Sequence, residues 1–339
     1  MAPLKLVTGG AGFIGSHLVE ALLARGHRVR VLDDFSTGRL ENLEEVEDQI
    51  DLVRGTLLDL ATVHKATAGA DYVFHLAAPP PGEPSLADPL RTHHCGATGT
   101  LHLLLAARQA NVKRVVYASS SCVYGVANDL PRREDELPLP LSPSGVAKLN
   151  GEQHCVAFTG VHGLETVRLR YFNVFGPRQP AGNTYSGEIG QLITQMLARR
   201  RPRVTGGLLR QQDLIYVDDV VHATLLSATA PRAAGRVYNI ARGRPTTPLE
   251  LITVLNTILG TRIEALDAVS KAPMQLHNLA DTFASTDQHH FSRWWVGNVA
   301  TNVKPSAARI AEERRNVGAE RQVRLPVEVA ALSATLPTH

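Results

Sequence analysis

Two short stretches carry side chains whose types and spacing suit acid–base chemistry. In "LSPSGVAKLNGE" (141–152), Ser144 and Lys148 stand four residues apart. The Ser-Pro-Ser start reads as the opening of a helix, so positions i and i+4 share one face. In "SSSCVYG" (119–125), Ser120 precedes Tyr124 by four. A lysine cation favours the ionised form of a nearby hydroxyl. A phenol titrates near ~10 and is within reach of such help, whereas a serine hydroxyl lies far higher. A well-placed acid–base group contributes typically ~10²–10⁴ in rate, or about 3–5 kcal/mol of barrier.

A second constellation binds rather than reacts. "TGGAGFIGSH" places Gly9, Gly12 and Gly15 as G-x-x-G-x-x-G between an apolar run and an amphipathic one. Such glycines let the backbone turn tightly and approach a pyrophosphate at a helix N-terminus, where free N–H groups and the helix dipole favour an anion. Asp33 closes the next apolar run, followed by Asp34. An acid there accepts hydrogen bonds from both adenosine ribose hydroxyls and repels a 2′-phosphate, which favours NAD over NADP. A ligand-free glycine turn is the alternative, and the joint occurrence of loop, helix and acid weighs against it.

These residues need a frame. "LKLVTGG", "RVRVLDD", "IDLVRG", "ADYVFHLAA" and "VKRVVYASSS" read as buried strands, nearly all apolar. Helical patterns lie between several of them, "GTLHLLLAARQAN" being the clearest. The alternation predicts an α/β protein with a Rossmann-type doubly wound parallel sheet. After about Arg178 the pattern loosens into a smaller C-terminal α/β lobe. The expected division is 1–178 for the NAD-binding domain, 179–300 for the substrate lobe and 301–339 for a C-terminal extension. The Pro-rich stretch 79–85 is expected to lie over a cleft. Asp218 and Asp219 are expected to cap the helix that follows them.

Composition excludes several classes. The 339 residues are 44% hydrophobic and 20% charged, with a net charge of +3. No run of like charge suggests a nucleic-acid stripe. Fourteen scattered His and three Cys, at 95, 122 and 155, offer no metal-ligand spacing and no disulfide framework. Cys122 reads as a small buried apolar residue rather than a nucleophile. No secretory signal is apparent, and no apolar stretch approaches the roughly 18 residues a membrane span needs. A soluble cytoplasmic protein is expected, with no metal, nucleic acid or membrane partner.

"TGGAGFIGSH", "HLAA", "VKRVVYASSSCVYG", "VRLRYFNVFGPRQ", "LIYVDDVVHA" and "VYNIARG" follow in order over Thr8–Gly243. As a set they resemble the extended short-chain dehydrogenase/reductase family, in its NAD-dependent nucleotide-sugar epimerase/dehydratase branch, with the UDP-glucose 4-epimerases as the nearest pattern. The resemblance implies bound NAD, a nucleoside-diphosphate sugar (a UDP-sugar) as substrate, and a homodimer formed through a helix pair. It implies transient oxidation at sugar C4 and return of the hydride to the other face. By the same resemblance, Ser120 is the catalytic Ser/Thr and Lys148 the catalytic lysine, which holds the nicotinamide ribose. Phe13, Ile14, Leu76, Ala77 and Ala78 run along the cofactor, with Thr56 and Leu57 at its adenine. Tyr171 and Phe172 flank the nicotinamide, and Asn173 touches the sugar-nucleotide phosphates.

The resemblance also exposes departures. The family's "SPYGVAK" is here "SPSGVAK", so Ser144 stands where the catalytic tyrosine is expected. A serine oxygen lies one bond beyond Cβ and cannot reach the place of a phenol oxygen, so a helix-start role is the plainer reading of Ser144. Tyr124, or a water in the vacated space, is the substitute proton carrier. Gly96 takes the place of an asparagine, Thr56 of an adenine-contacting aspartate (Asp59 remains), Gln212 of a phosphate-binding arginine, and Gly190 of a proline. "KAPMQLHNLADT" (271–282) replaces a further substrate-side motif. Ser121 and Cys122 occupy the Asp-Glu positions of a 4,6-dehydratase, which disfavours that reaction. Two readings stand: a sugar-nucleotide epimerase of low activity, or a catalytically silent NAD-binding sensor or partner-binding subunit.

Overall fold

A computed structural model of the chain describes residues 2–80, 82–126, 130–180, 188–268 and 284. The expected extension 301–339 and the 271–282 stretch lie outside the described residues. Strand β1 (Leu4–Thr8) leads through the glycine loop into α1 (Phe13–Leu23), then β2 (Arg28–Asp33) and β3 (Ile50–Arg54). Helix α2 (Leu60–Thr67) precedes β4 (Tyr72–His75). Two short helices, α3 (Glu83–Ala87) and α4 (Pro89–His93), run through a π-helical turn (His94–Thr98) into α5 (Gly99–Gln109). Strand β5 (Arg114–Ser120) is followed by a 3₁₀ turn (Ser121–Tyr124), the long α6 (Pro143–His162), β6 (Glu165–Tyr171) and β7 (Asn173–Phe175). The remainder comprises α7 (Glu188–Leu197), β8 (Arg203–Thr205), β9 (Gln212–Tyr216), α8 (Val217–Thr229), β10 (Val237–Ile240), β11 (Pro245–Thr246), α9 (Pro248–Leu259) and β12 (Leu266–Ala268).

Seven strands form one parallel sheet in the order β10-β6-β5-β4-β1-β2-β3. Strand order reverses between β1 and β4, and ligands of such sheets bind in the crevice at the carboxyl ends there. Side chains alternate across the sheet as the two-residue period of a strand requires. On β5, Val116 and Ala118 join the core under α1 and α8, whereas Val115 and Tyr117 join the core under α5 and α6. The expected break at 178 therefore does not divide the strands cleanly. Val237–Ile240, from the later half, pairs with β6 as the seventh strand of the large sheet. Conversely, β7, from before the break, joins β9 and β11 in a three-stranded sheet, β11-β9-β7; β12 and β8 form a two-stranded one, and an apolar cluster around Phe175, Leu192, Met196 and Leu255 packs there. Among the described residues, no helix is long and apolar enough to cross a membrane.

Helix α6 is the element that carries Ser144 and Lys148, and its start is well specified. Ser142 is the N-cap, its hydroxyl accepting the Gly145 N–H at 3.1 Å, with Pro143 at the first helical position. Gly163, at φ 68°, ends the helix in the left-handed conformation. Close approach to the sheet requires Gly151, where an added Cβ would sit 2.3 Å from the Tyr117 hydroxyl. The N-cap of α8 is Tyr216, with Asp218 and Asp219 inside its first turn. The expected capping by those two acids is thus corrected: they favour the positive end of the helix dipole instead of binding its free N–H groups as an N-cap would.

Candidate functional site

The crevice at the strand-order reversal opens into a cavity of about 390 Å³. Its floor is the glycine loop. Gly9 sits at φ +72°, and a Cβ there would meet the Ala77 backbone nitrogen at 2.6 Å. A Cβ on Gly15 would lie 2.1 Å from the Gly9 carbonyl oxygen, so α1 can begin this close only without a side chain. Gly12 is the N-cap of α1 and supplies no side-chain cap. The first N–H groups of the helix are therefore available to an anion in the crevice.

Asp33 is buried at the end of β2. Its Oδ2 accepts the Ala11 N–H at 2.9 Å and its Oδ1 accepts the Phe35 N–H at 2.8 Å. Burial raises its pKa above the ordinary carboxylate value, and those two N–H bonds work against the rise. The carboxylate thus ties the glycine loop to the β2 turn while facing the cavity. Asp34 follows, accepting the Ser36 N–H at 2.9 Å.

The opposite wall is built by β5 and α6. Ser120, last residue of β5, accepts the Cys122 N–H at 3.3 Å and caps the 3₁₀ turn. The Lys148 ammonium, half-buried, donates to the Ala118 carbonyl at 2.5 Å and lies 5.2 Å from the centre of the Tyr117 ring. Burial lowers its pKa from 10.5 to about 8, with Cys122 and Glu152 opposing the shift. One turn on, Glu152 takes two hydrogen bonds from Arg170, at 2.9 and 2.8 Å, and one from Ser119 at 2.5 Å. Although burial works against the Arg170 charge, the Glu152 carboxylate holds its pKa above the ordinary arginine value.

Ser144 and Tyr124 are placed differently. The Ser144 hydroxyl, 7% exposed, pairs with the Ser142 hydroxyl at 3.1 Å, within the N-cap of α6, and Ser144 is not part of the cavity lining. The Tyr124 phenol donates to Asn239 Oδ1 at 2.6 Å, and its ring has the Arg170 guanidinium 4.7 Å from its centroid. Burial pushes the phenol up to about 12, against the influence of Arg170. Tyr124 does not line the cavity either. The phenol expected as a substitute proton carrier is hydrogen-bonded to Asn239 and lies outside the cavity lining.

The structure brings the expected cofactor residues into one lining. Gly9, Gly12, Phe13, Ile14 and Gly15 contribute the floor, with Asp33 and Asp34 at one end. Thr56 and Leu57 follow β3, and Leu76, Ala77 and Ala78 follow β4. Ser120, Lys148, Tyr171 and Phe172 complete the far wall. Tyr171 is buried and shares a 2.7 Å hydrogen bond with Thr224. Asn173 and Gln212 do not line this cavity; they lie on the adjacent strands β7 and β9, where Asn173 Nδ2 donates to the Asp213 carbonyl at 3.2 Å. The sequence reading missed Ser36, Thr37 and Gly38 of the β2 turn, and Arg91 and Cys95 at the rim. The first three could have been found from their position right after Asp33; Arg91 and Cys95 carry no local signal. Pro79 and Pro80 line the cavity, where the Pro-rich stretch is expected to lie. Among the described residues, no group of three His, Cys, Asp or Glu is arranged to hold a metal.

The model of the NAD-dependent epimerase/dehydratase family matches residues 5–241. A UDP-glucose 4-epimerase of Mycolicibacterium smegmatis is 37% identical over 260 residues, 75% of this chain and 82% of that protein. Among solved structures, a UDP-N-acetylglucosamine 4-epimerase from Methanobrevibacter ruminantium in complex with UDP-N-acetylmuramic acid superposes with a TM-score of 0.77 at 34% identity. The match covers 84% of this chain and 90% of that one. A UDP-glucuronic acid 4-epimerase from Bacillus cereus, in complex with UDP-glucuronic acid and NAD, gives a TM-score of 0.74 at 30% identity, covering 83% and 90%.

Proposed function

The chain belongs to the NAD-dependent epimerase/dehydratase family, and from that premise we propose that it is an NAD-dependent 4-epimerase of a UDP-sugar. The observation that carries this reading is that one cavity is lined by an anion-binding helix start, Asp33, Ser120 and Lys148 together. The glycine cradle, closed to any Cβ at Gly9 and Gly15, fits a pyrophosphate. Gly9, Gly12 and Gly15 hold that group, and Asp33 accepts the adenosine ribose hydroxyls. Leu76, Ala77 and Ala78 pack along the dinucleotide, with Thr56 and Leu57 beside the adenine. Lys148 holds the nicotinamide ribose, and Tyr171 and Phe172 flank the ring. NAD, when bound, supplies the acceptor for the C4 hydride. Ser120 hydrogen-bonds the sugar hydroxyl. Asn173 and Gln212 bind the phosphates of the sugar nucleotide from β7 and β9, and two copies pair through helices.

Ser144 sets the expected rate. With its hydroxyl paired with that of Ser142 and no phenol in its place, turnover is low. The same observation favours one second reading, a silent NAD-binding subunit. Purified protein assayed for interconversion of UDP-glucose and UDP-galactose, with and without Ser144→Tyr, separates the two. The proposal expects slow turnover in the wild type and a gain of ~10²–10⁴ in the variant. No turnover in either form, with NAD still bound, rejects the epimerase and leaves the silent subunit.

A further inference from the structure

The cavity needs a proton carrier beside Ser120, and its lining holds few candidates. Among the described lining residues, the titratable ones are Asp33, Asp34, Arg91, Cys95, Lys148 and Tyr171. Asp33 ends β2 and Asp34 follows it, three strand positions from β5 in the sheet order. At the usual inter-strand spacing that is about 14 Å from the end of β5. Cys95 feels Arg91, Asp34 and Asp88, which places it at the same end, and burial keeps its thiol protonated. Arginine does not deprotonate in proteins. Tyr171 is bonded to Thr224, and burial raises its pKa well beyond the ordinary phenol value. Lys148 remains, held against β5 by the carbonyl of Ala118, two residues before Ser120.

We propose that Lys148 is itself the proton carrier, its neutral amine taking the proton of the sugar hydroxyl directly at Nζ while Ser120 Oγ holds that hydroxyl. The inference rests on the epimerase reading above. In the oxidative direction the O–H bond breaks and an N–H bond forms at Nζ. With NAD bound, its nicotinamide would supply the acceptor for the C4–H electron pair and hydrogen, and the C4–O bond would become a carbonyl. In the return direction the ammonium gives the proton back. A neutral lysine has two N–H bonds and one lone pair. One N–H satisfies the Ala118 carbonyl, and the lone pair remains for the substrate.

The groups facing Lys148 leave a minority of neutral amine near neutrality, a share that grows as pH rises through about 8. From β5 it meets the Tyr117 ring, from the 3₁₀ turn Cys122, from its own helix Glu152, and from β4 the buried His75. Burial prevails over the Cys122 and Glu152 contributions and brings the ammonium to about 8. Glu152 is already committed to Arg170 and Ser119. A nicotinamide cation in the cavity acts in the same direction as burial.

Two measurements test this. The first needs no turnover: acylation of Lys148 by acetic anhydride, followed by peptide mass spectrometry against pH in NAD-free protein. A midpoint near 8 and protection by NAD are expected; a midpoint at the ordinary 10.5 overturns the proposal. The second is the pH profile of kcat with UDP-glucose, Lys148→Arg and Lys148→Ala. The wild type should lose activity as pH falls through the Lys148 pKa. Lys148→Arg should still bind NAD but lose ~100-fold or more in kcat, and Lys148→Ala should be partly rescued by ethylamine. Wild-type turnover with no acid limb and no amine rescue overturns the role of Lys148 and leaves the epimerase reading standing. No turnover by NAD-loaded wild type on any UDP-sugar overturns the reading itself, and the role of Lys148 with it.

Discussion

Glu152→Ala is the perturbation that most directly tests how the catalytic helix is held. Glu152 and Arg170 are 1% and 3% exposed, and they join α6 to β6 by two charge-assisted hydrogen bonds of 2.9 and 2.8 Å. Ser119 adds a third bond to the same carboxylate. The substitution removes one member of a buried ion pair and strands the other. Arg170 already has one buried nitrogen, Nη1, without a partner, so the guanidinium has little with which to compensate. Breaking such a pair costs about 3–5 kcal/mol. At about 1.4 kcal/mol per decade, the folding constant falls by about two to four powers of ten. Chemical denaturation followed by circular dichroism measures it. The counter-test is Glu152→Met with Arg170→Met, which removes both charges and should recover most of the loss. A loss below about 1 kcal/mol for Glu152→Ala, in the range of an exposed pair, would refute the claim that this bridge anchors the helix carrying Lys148.

Two further outcomes follow from the geometry. Gly15→Ala drives a Cβ to within 2.1 Å of the Gly9 oxygen; the glycine loop must move, and NAD binding measured by calorimetry should be lost while the far-ultraviolet dichroism persists. His75, 1% exposed between Thr8 and Thr100, is pushed by burial and by Lys148 to a pKa of about 3 from 6.5. A depressed histidine pKa stabilises the fold above 6.5, and that stability drains away as pH falls from 6.5 towards 3. By linkage the effect is of order 5 kcal/mol over that window. Denaturation of His75→Gln should show a shallower acid dependence there than the wild type; equal slopes would mean that His75 is not held neutral.

How much of this was legible in the sequence depends on the range of the interaction. Gly9, Gly12 and Gly15 announce themselves because a tight turn and a close helix start tolerate nothing else, and the requirement is local. Asp33 is legible for the same reason, seven residues after the turn glycine Gly26 and at the end of an apolar run. The parallel sheet follows from apolar strands alternating with helical patterns. What the sequence hid is decided by contacts distant along the chain. Arg91 and Cys95 reach the cavity only because the segment from α3 to the π-helical turn folds back over it. The seventh strand, Val237–Ile240, is short and reads no differently from an edge strand of the smaller lobe until it pairs with β6. The direction of the Tyr124 phenol is set by Asn239, more than a hundred residues away.

The departure at Gly96 falls on the seam between the π-helical turn and α6, the helix that also carries Ser144. A Cβ on Gly96 would lie 2.8 Å from the Ala147 Cβ, so the π-helical turn and α6 are packed closer there than a larger residue at 96 permits. Ala147 adjoins Lys148, which lines the cavity. The same turn is wired to the cofactor loop. Thr100 donates to the Gly96 carbonyl at 2.6 Å, which leaves its oxygen to accept from His75 Nε2 at 2.9 Å. His75 Nδ1 must then accept from the Thr8 hydroxyl at 2.8 Å, and Thr8 in turn accepts the Ala77 N–H at 3.4 Å. One tautomer of a neutral histidine satisfies every bond, from the cavity-lining Ala77 to the glycine on which α6 rests. Protonating His75 would place a second hydrogen against the Thr8 hydroxyl and break the chain's direction. The seam that carries Lys148 and the loop that holds the pyrophosphate therefore share one buried, uncharged imidazole, and they should loosen together when it is charged.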